Sequence, residues 1–154
     1  MSLLYNAGGD IVRICIDADA CPVVNQAIAI ANENKIPCIL FCDTAHVLNR
    51  AGAETITVSK GADSVDFALV NYIKKDDIVI TQDYGLAAMC LSRGARVLHQ
   101  DGMEYTNDNI DALLLSRHES AKFRRAGGRT RGHKPREESQ NAAFCAALKK
   151  MIMP

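Results

Sequence analysis

Two aspartates near the start of the chain have a spacing that can hold a divalent cation. The segment Ile14-Cys-Ile-Asp-Ala-Asp-Ala-Cys-Pro22 carries Asp17 and Asp19 from an apolar strand onto the start of a helix, and Pro22 suits the first turn of that helix. Because strand residues alternate between faces, the two carboxylates share a face if the extended backbone continues to Asp19. Either residue could instead cap the helix, although Asp17 belongs to the strand itself.

Two further aspartates are candidates for the same site. The segment Ile78-Val-Ile-Thr-Gln-Asp83 ends a second apolar strand with Asp83, which is either a metal ligand or the cap of the helix that follows. Asp66 lies one turn into another helix, and its spacing from Asp63 is close to that of a capping box. A carboxylate at this position can also point along the carboxyl edge of the sheet towards Asp17 and Asp83.

A cluster of aspartates favours Mg²⁺ or Mn²⁺, because these cations prefer oxygen ligands. The cation would neutralise the carboxylates, act as a Lewis acid on a phosphoryl oxygen and lower the pKa of a bound water. This chemistry predicts hydrolysis of a phosphodiester by metal-activated water. Thr81 and Ser64 are candidates to position a water or a carboxylate. The predicted metal ligands and catalytic residues are Asp17, Asp19, Asp66 and Asp83.

The elements that must position these acids are short, β-branched apolar runs separated by helical patterns. This alternation predicts a three-layer α/β sandwich with a central, mostly parallel sheet of five strands. The predicted strands are residues 11–16, 37–42, 55–58, 78–81 and 95–98, and the predicted helices are residues 22–34, 62–74, 86–92, 107–125 and 137–151. Ligands bind beyond the carboxyl ends of such strands where the winding reverses, so Asp17 and Asp83 become neighbours if the first and fourth strands pair centrally.

Basic and acidic residues occupy different parts of the chain, although the formal net charge is zero. Residues 1–116 carry a net charge of −7, whereas the basic segment, residues 117–136, carries eight basic residues and one acidic residue, a net charge of +7. Glycines interleave with arginines in the loop at residues 126–136, which predicts a mobile arm suited to a polyanion, RNA in preference to DNA. A solvated charged surface is the alternative interpretation. The candidate nucleic-acid-binding residues are Arg124, Arg125, Arg129, Arg131 and Lys134. Phe123 is the only aromatic residue in the basic segment, so base stacking within it would be weak.

Several other classes of protein find no support in the sequence. The chain has no Walker-type phosphate loop, no dinucleotide-binding GxGxxG after the first strand and no nucleophile elbow. Its four histidines are scattered, and its six cysteines lack zinc or redox spacing, which predicts buried thiols. No apolar run approaches the roughly 20 residues that cross a bilayer, and no signal peptide is recognisable, so we expect a cytoplasmic protein without membrane contact.

The length of 154 residues predicts a single domain. Residues 1–9 show no periodicity and are interpreted as a loose end or a cloning remnant. Assembly into a homo-oligomer is left open by the sequence.

Four motifs and the Gly- and Arg-rich loop together resemble one family. The motifs are Asp17-Ala-Asp-Ala-Cys-Pro22, Gly61-Ala-Asp-Ser-Val-Asp66, Ile80-Thr-Gln-Asp-Tyr-Gly-Leu-Ala87 and Tyr105-Thr-Asn-Asp-Asn-Ile110. From Ile11 to the C-terminus, the chain resembles the uncharacterised bacterial YaiI/YqxD family, whose fold looks like that of PIN-type nucleases. The resemblance implies a central parallel sheet and a divalent-metal site in which Asp17 and Asp83 match the acids that end the first and fourth strands. Asp19 and Asp66 match less closely.

Two alternative functions fit parts of the sequence. An apolar strand followed by Asp-x-Asp also opens the HAD-type phosphatases, in which Asp17 would be a covalent nucleophile and Asp19 a general acid. Against this interpretation, Cys21 stands where Thr or Val is usual, and no paired-aspartate motif follows a later glycine. The other alternative is a noncatalytic RNA- or partner-binding module on a nuclease-like fold.

Overall fold

Six strands form one mixed sheet in the computed structural model of the chain, which describes residues 4–44, 49–59, 61, 63–128 and 134–153. The strands are β1 (Ile14–Asp17), β2 (Cys38–Asp43), β3 (Glu54–Val58), β4 (Ile78–Ile80), β5 (Arg96–Leu98) and β6 (Glu104–Tyr105). Their order is β3-β2-β1-β4-β5-β6, and only β5 and β6 pair antiparallel. The expected central pairing of β1 with β4 is confirmed, with Ile16 opposite Ile80.

The five predicted helices are all present and cover both faces of the sheet. They are α1 (Val24–Glu33), α2 (Ser64–Tyr72), α3 (Tyr84–Ser92), α4 (Ile110–Arg125) and α5 (Glu138–Ile152). The expected α/β architecture and mostly parallel sheet are therefore confirmed. None of the helices within the described ranges is both long and apolar enough to cross a membrane.

The alternating side chains of the strands build a separate core on each face of the sheet. Ile14 and Ile16 point to one face, where they join a cluster that includes residues of α1 and α5, such as Phe144. Cys15, between them, points to the other face and joins a cluster that includes Leu69 of α2 and residues of α3. All six cysteines are free, and four of them are buried, in line with the expected thiols.

The sixth strand corrects the prediction of five. β6 has only two residues, too few to show a period of two, and a turn at Gly102 brings it back antiparallel to β5. Tyr105 of β6 is buried, its hydroxyl donates to the carbonyl oxygen of Thr81 at 3.2 Å, and its ring packs edge to face on Tyr84. The added strand therefore contacts the segment that follows β4.

Residues 4–9, which we expected to be loose, form a turn that is attached to the rest of the fold. The amide of Val12 donates to the carbonyl oxygen of Leu4 at 2.8 Å, and Leu4 packs against the core. The side chain of Asn6 accepts from the amides of Gly8 and Asp10 and donates to the carbonyl oxygen of Lys75. This turn closes the amino edge of the sheet, opposite the predicted site.

Candidate active site at the carboxyl edge of the sheet

One buried hydroxyl connects the ends of the two central strands. Thr81 directly follows β4 and is only 2% exposed. Its Oγ1 donates to Oδ2 of Asp17 at 2.8 Å and accepts from the backbone N–H of Asp83 at 3.0 Å. Asp17 itself ends β1 and is half-buried. The hydroxyl therefore holds the Asp17 carboxylate next to the start of α3.

Asp83 caps α3, as one of the two sequence interpretations expected. Its Oδ1 accepts from the amides of Gly85 at 2.9 Å and Leu86 at 3.2 Å, and from Nη1 of Arg117 at 3.2 Å. All three contacts engage the same oxygen. Oδ2 receives no hydrogen bond from the residues that the structure describes, so capping leaves this oxygen available to a ligand.

Asp66 lies in the first turn of α2, but the capping box expected there does not form. The N-cap residue Asp63 has a φ of +65° and makes no side-chain capping bond, because its backbone adopts the left-handed conformation. Asp66 instead lines an open groove of about 420 Å³ together with Asp83 and Arg117. Ser64, a candidate supporting residue, is the half-buried first residue of α2. We call the groove lined by Asp66, Asp83 and Arg117 the acidic groove.

Asp19 lies in the turn after β1 rather than on a continued strand. The backbone leaves the extended conformation after Asp17, and Ala20 has a φ of +59°. Oδ2 of Asp19 accepts from the backbone N–H of Asp43, at the end of β2, at 3.1 Å. The N-cap of α1 is Val23, so the interpretation of Asp19 as a helix cap is wrong. Its carboxylate joins the β1–α1 turn to β2.

The pKa values of Asp17 and Asp66 are raised at this end of the sheet. Burial raises the pKa of Asp17 to about 6, and repulsion by Asp66, Asp83 and Asp19 adds to this rise, while the hydrogen bond from Thr81 opposes it. Burial and repulsion by Asp83 and Asp63 also raise the pKa of Asp66, and Arg117 opposes that shift. We call the set formed by Asp17, Asp19, Asp66 and Asp83 the acidic edge.

A preformed cage of ligands is not part of this edge. Among the described residues, no group of three or more His, Cys, Asp or Glu side chains is arranged to hold a metal ion. Mg²⁺ commonly takes only one or two carboxylates and completes its shell with waters and substrate phosphates. Thr81 links the carboxylate of Asp17 to the backbone of Asp83, and each of these two residues offers a carboxylate at the end of a central strand. Carboxylate oxygens of this kind suit a cation that takes few protein ligands.

Arg117 is the residue of this site that the sequence analysis did not single out. It lies seven residues after the buried Ile110 and three after Leu114, so it shares the face of α4 that packs towards α3. Its side chain is 59% exposed even though it forms an ion pair with Asp83. Arg124 follows Arg117 by seven residues on the same face of α4, about 10 Å from it along the helix axis. The spacing from Ile110 is the signal that could have identified Arg117.

The basic segment divides into exposed residues and one residue that the fold uses. Arg124 and Arg125, in the last turn of α4, and Lys134 are exposed. Arg129 and Arg131 lie outside the described residues. Arg136 donates to the side chains of Asn141 and Asp101 and to the carbonyl oxygen of Gln100, beside the turn between β5 and β6. This last arginine therefore fixes the end of the loop to the sheet.

These features define an α/β protein with aspartates at the carboxyl ends of its central strands, where the sheet order reverses between β1 and β4. The chain belongs to the YaiI/YqxD family, described as an uncharacterised bacterial family, whose model matches residues 15–154.

Two relatives align with the chain over nearly their whole length. It is 48% identical over 141 residues to a UPF0178 protein of Exiguobacterium sibiricum, an alignment that covers 92% of this chain and 96% of the relative. It is 46% identical over 144 residues to a UPF0178 protein of Clostridium acetobutylicum, with 92% and 97% covered. No solved structure matches the chain.

Proposed function

We propose that this protein is a divalent-metal-dependent nuclease or related phosphodiesterase of PIN-like fold that uses Mg²⁺ or Mn²⁺ at the acidic edge. The observation that carries the proposal is the Thr81 hydroxyl, which links the ends of the two central strands by bonding to Asp17 and to the amide of Asp83. Asp17 lies there in a buried position where repulsion by Asp66, Asp83 and Asp19 adds to the rise of its pKa. A divalent cation would remove this repulsion by neutralising the carboxylates. The position of the edge, at the reversal of strand order, is where open α/β sheets bind ligands.

Asp17 and Asp83 would hold the cation, and the fold restrains both. Thr81 donates to Asp17, while the amides of Gly85 and Leu86 hold Oδ1 of Asp83 and leave Oδ2 for the cation. When bound, the cation supplies Lewis acidity towards a phosphoryl oxygen and lowers the pKa of a water. The metal ligands are thus oriented before substrate arrives, which reduces the rearrangement needed for the reaction.

Asp66 and Asp19 have secondary roles in the proposed site. Asp66 lines the acidic groove beside Asp83 and would complete or orient the site, since its carboxylate adds negative charge that attracts the cation. Asp19 accepts from the amide of Asp43 and so would orient the turn that follows Asp17. Ser64, at the start of α2, remains a candidate to position a water.

Cationic residues would hold the phosphates of a nucleic acid, RNA in preference to DNA. Arg117 would exchange its ion pair with Asp83 for a substrate phosphate, because its guanidinium is largely exposed and can form two parallel hydrogen bonds to phosphate oxygens. Residues of the basic segment would extend this contact along the strand. These residues are Arg124, Arg125, Arg129, Arg131 and Lys134.

Calorimetric titration with Mn²⁺ tests the metal site without a choice of substrate. Wild type is expected to bind Mn²⁺ saturably, and Asp17→Asn and Asp83→Asn should each abolish this binding. Asp10→Asn is the matched control, because Asp10 is exposed and precedes β1, and its side chain forms one ion pair among the described residues, with Lys74 at 3.6 Å. A titration with an excess of a short nucleotide covers the case in which substrate phosphates complete the metal shell. Unchanged binding in Asp83→Asn under both conditions would refute the proposed site.

Hydrolysis of labelled oligonucleotides then tests the reaction. In Mn²⁺, wild type and Asp10→Asn should cleave at equal rates, and Asp83→Asn should lose at least about a hundredfold, because electrostatic stabilisation of the transition state usually has this magnitude. A chelator should stop cleavage. Undiminished cleavage by the double variant Asp17→Asn, Asp83→Asn would reveal a contaminating nuclease.

A noncatalytic binding module is the second candidate function. It is favoured by the hydrogen bonds that already engage Asp19 and Asp83 and by the lack of a three-ligand group among the described residues. Such a module would bind nucleic acid with a steep dependence on salt, through the exposed arginines, and without any effect of Asp83→Asn or of divalent cations.

A further inference from the structure

An exposed aromatic ring lies in the acidic groove. Phe67 of α2 is 60% exposed and lines this groove with Asp66, Asp83 and Arg117. The buried residue of the same helix is Leu69, so the phenyl ring is not part of the core. The exposed ring of Phe67 is therefore open to a ligand that enters the groove.

Phe67 differs from the other exposed apolar side chains of the described ranges. Phe123 is also exposed, but its ring lies against Gly128, where an added Cβ would be 2.4 Å from the ring carbons. Tyr5 is exposed too, but it belongs to the turn at the opposite, amino edge of the sheet, and Leu115, which is 60% exposed, has no aromatic face. Phe67 therefore combines an available π-face with a place beside the acidic edge.

The groove also brings an arginine to the same opening. Nη1 of Arg117 is 3.2 Å from Oδ1 of Asp83, and an added Cβ on Gly85 would lie 3.9 Å from the same nitrogen. Phosphates would meet a net negative groove, because Asp63, Asp66 and Asp83 outnumber the one arginine. A nucleic acid that binds there would need a divalent cation to offset this charge.

We propose that the acidic groove binds an unpaired nucleotide of a single-stranded nucleic acid, with its base stacked on Phe67 and its phosphate paired with Arg117. This inference rests on the proposed function, which brings the strand to the acidic edge. A phenyl ring stacks on the face of any base with little dependence on sequence. In a duplex these faces are covered by neighbouring base pairs, so Phe67 selects an unpaired strand.

The test measures, by anisotropy in Mg²⁺, binding of a fluorescent ten-nucleotide RNA, the same DNA sequence and their matched duplexes, all made with phosphorothioate linkages that resist hydrolysis. Stacking of one base has a free energy that corresponds to about a ten- to hundredfold change in affinity. Phe67→Ala should therefore weaken single-strand binding by about this factor and leave duplex binding unchanged. Phe67→Trp should retain the single-strand affinity. Leu115→Ala removes an equally exposed apolar side chain from α4 and should bind like wild type.

Other outcomes would overturn the inference. Single-strand binding by Phe67→Ala at wild-type affinity would show that no base contacts the ring. An equal loss of single-strand and duplex binding would show that the ring does not select unpaired strands. If wild type binds neither nucleic acid, the groove belongs to a partner of another class. The RNA and DNA arms show which sugar the bound strand carries.

The inference and the proposed function can fail separately. Loss of hydrolysis in Asp83→Asn with unchanged binding by Phe67→Ala would leave the nuclease proposal intact and refute the stacking. Phe67-dependent binding by a wild type that hydrolyses nothing would support the stacking and refute the nuclease.

Discussion

The hydroxyl of Thr81 is held so that its proton points at Asp17. One side of Oγ1 accepts the backbone N–H of Asp83 at 3.0 Å, and the hydroxyl therefore donates in the other direction, to Oδ2 of Asp17 at 2.8 Å. The carbonyl oxygen of Thr81 in turn accepts from Tyr105. A single buried threonine thus connects the carboxylate of Asp17 and the backbone of Asp83 to the added strand β6, and it limits the rotation of the Asp17 carboxylate.

Removal of this hydroxyl by Thr81→Val should weaken the site more than the fold. We expect the free energy of unfolding to fall by about 1 to 2 kcal/mol, because the amide of Asp83 and one oxygen of Asp17 lose a buried partner. The affinity for Mn²⁺ should fall about tenfold if the lost restraint has a similar free energy. Thr81→Ser keeps the hydroxyl and should restore the affinity. Wild-type Mn²⁺ binding by Thr81→Val, measured by calorimetry, would contradict the orienting role.

The raised pKa of Asp17 predicts a pH-dependent cost to stability in metal-free buffer. In the folded protein the pKa of Asp17 is about 6, above its ordinary value of 3.8. The protonated carboxyl group therefore contributes its full stabilisation below about pH 4, and this stabilisation is lost as the pH rises through 6. Asp17→Asn stays neutral. Its free energy of unfolding should exceed that of wild type by about 3 kcal/mol at pH 8 and by little near pH 4.

Urea denaturation at both pH values measures this difference. Adding Mn²⁺ to wild type at pH 8 should recover stability, whereas Asp17→Asn should gain less from the cation. Parallel stability curves of the two proteins from pH 4 to 8 would show that the charge of Asp17 carries no such cost.

The turn between β5 and β6 should tolerate no side chain at Gly102. Its φ is +94°, and an added Cβ would lie 2.7 Å from the carbonyl oxygen of Ala143 in α5. Gly102→Ala should lower the free energy of unfolding by about 3 kcal/mol, from backbone strain and overpacking together. Gly127 has a similar φ of +91° with no atom within 4 Å, so Gly127→Ala should cost only about 1 kcal/mol. Equal losses in urea denaturation would contradict the close contact.

Substitution of Asp77 should lower stability more than substitution of any other acidic residue, and its effect should be on stability rather than on activity. It is 1% exposed and accepts from the guanidinium of Arg13 at 2.8 Å and from the amides of Arg13 and Lys74. Asp77→Asn should lower the free energy of unfolding by about 3 kcal/mol, because it leaves the Arg13 charge without its buried partner. Asp10→Asn breaks only an exposed ion pair and should cost less than about 1 kcal/mol. Similar losses in thermal denaturation would refute this assignment.

The central architecture could be predicted because it depends on local patterns. Buried parallel strands such as Ile78–Ile80 are continuous apolar runs, and the helices between them repeat at their own period. The neighbouring ends of β1 and β4 followed from the usual order of such sheets. β6 was missed because two residues carry no period, and its pairing depends on the turn at Gly102.

The details of the site depend on contacts between distant residues, which the sequence does not reveal. Asp63 was expected to cap α2, but its backbone is left-handed and its side chain makes no capping bond. Asp19 was expected to cap α1 or share a face with Asp17, but the end of β2 supplies its donor. Arg117 reaches Asp83 only because α4 packs against α3. The metal, the substrate and the role of the basic segment stay predictions.

The pair formed by Tyr84 and Tyr105 gives the protein an internal optical reporter. Their ring centroids are 5.9 Å apart, Tyr84 adjoins Asp83, and Tyr105 contacts Thr81. The chain contains four tyrosines and no tryptophan, so no indole quenches or masks tyrosine emission. A cation or strand that reaches the acidic edge should change this fluorescence, which would allow occupancy to be titrated in unlabelled protein.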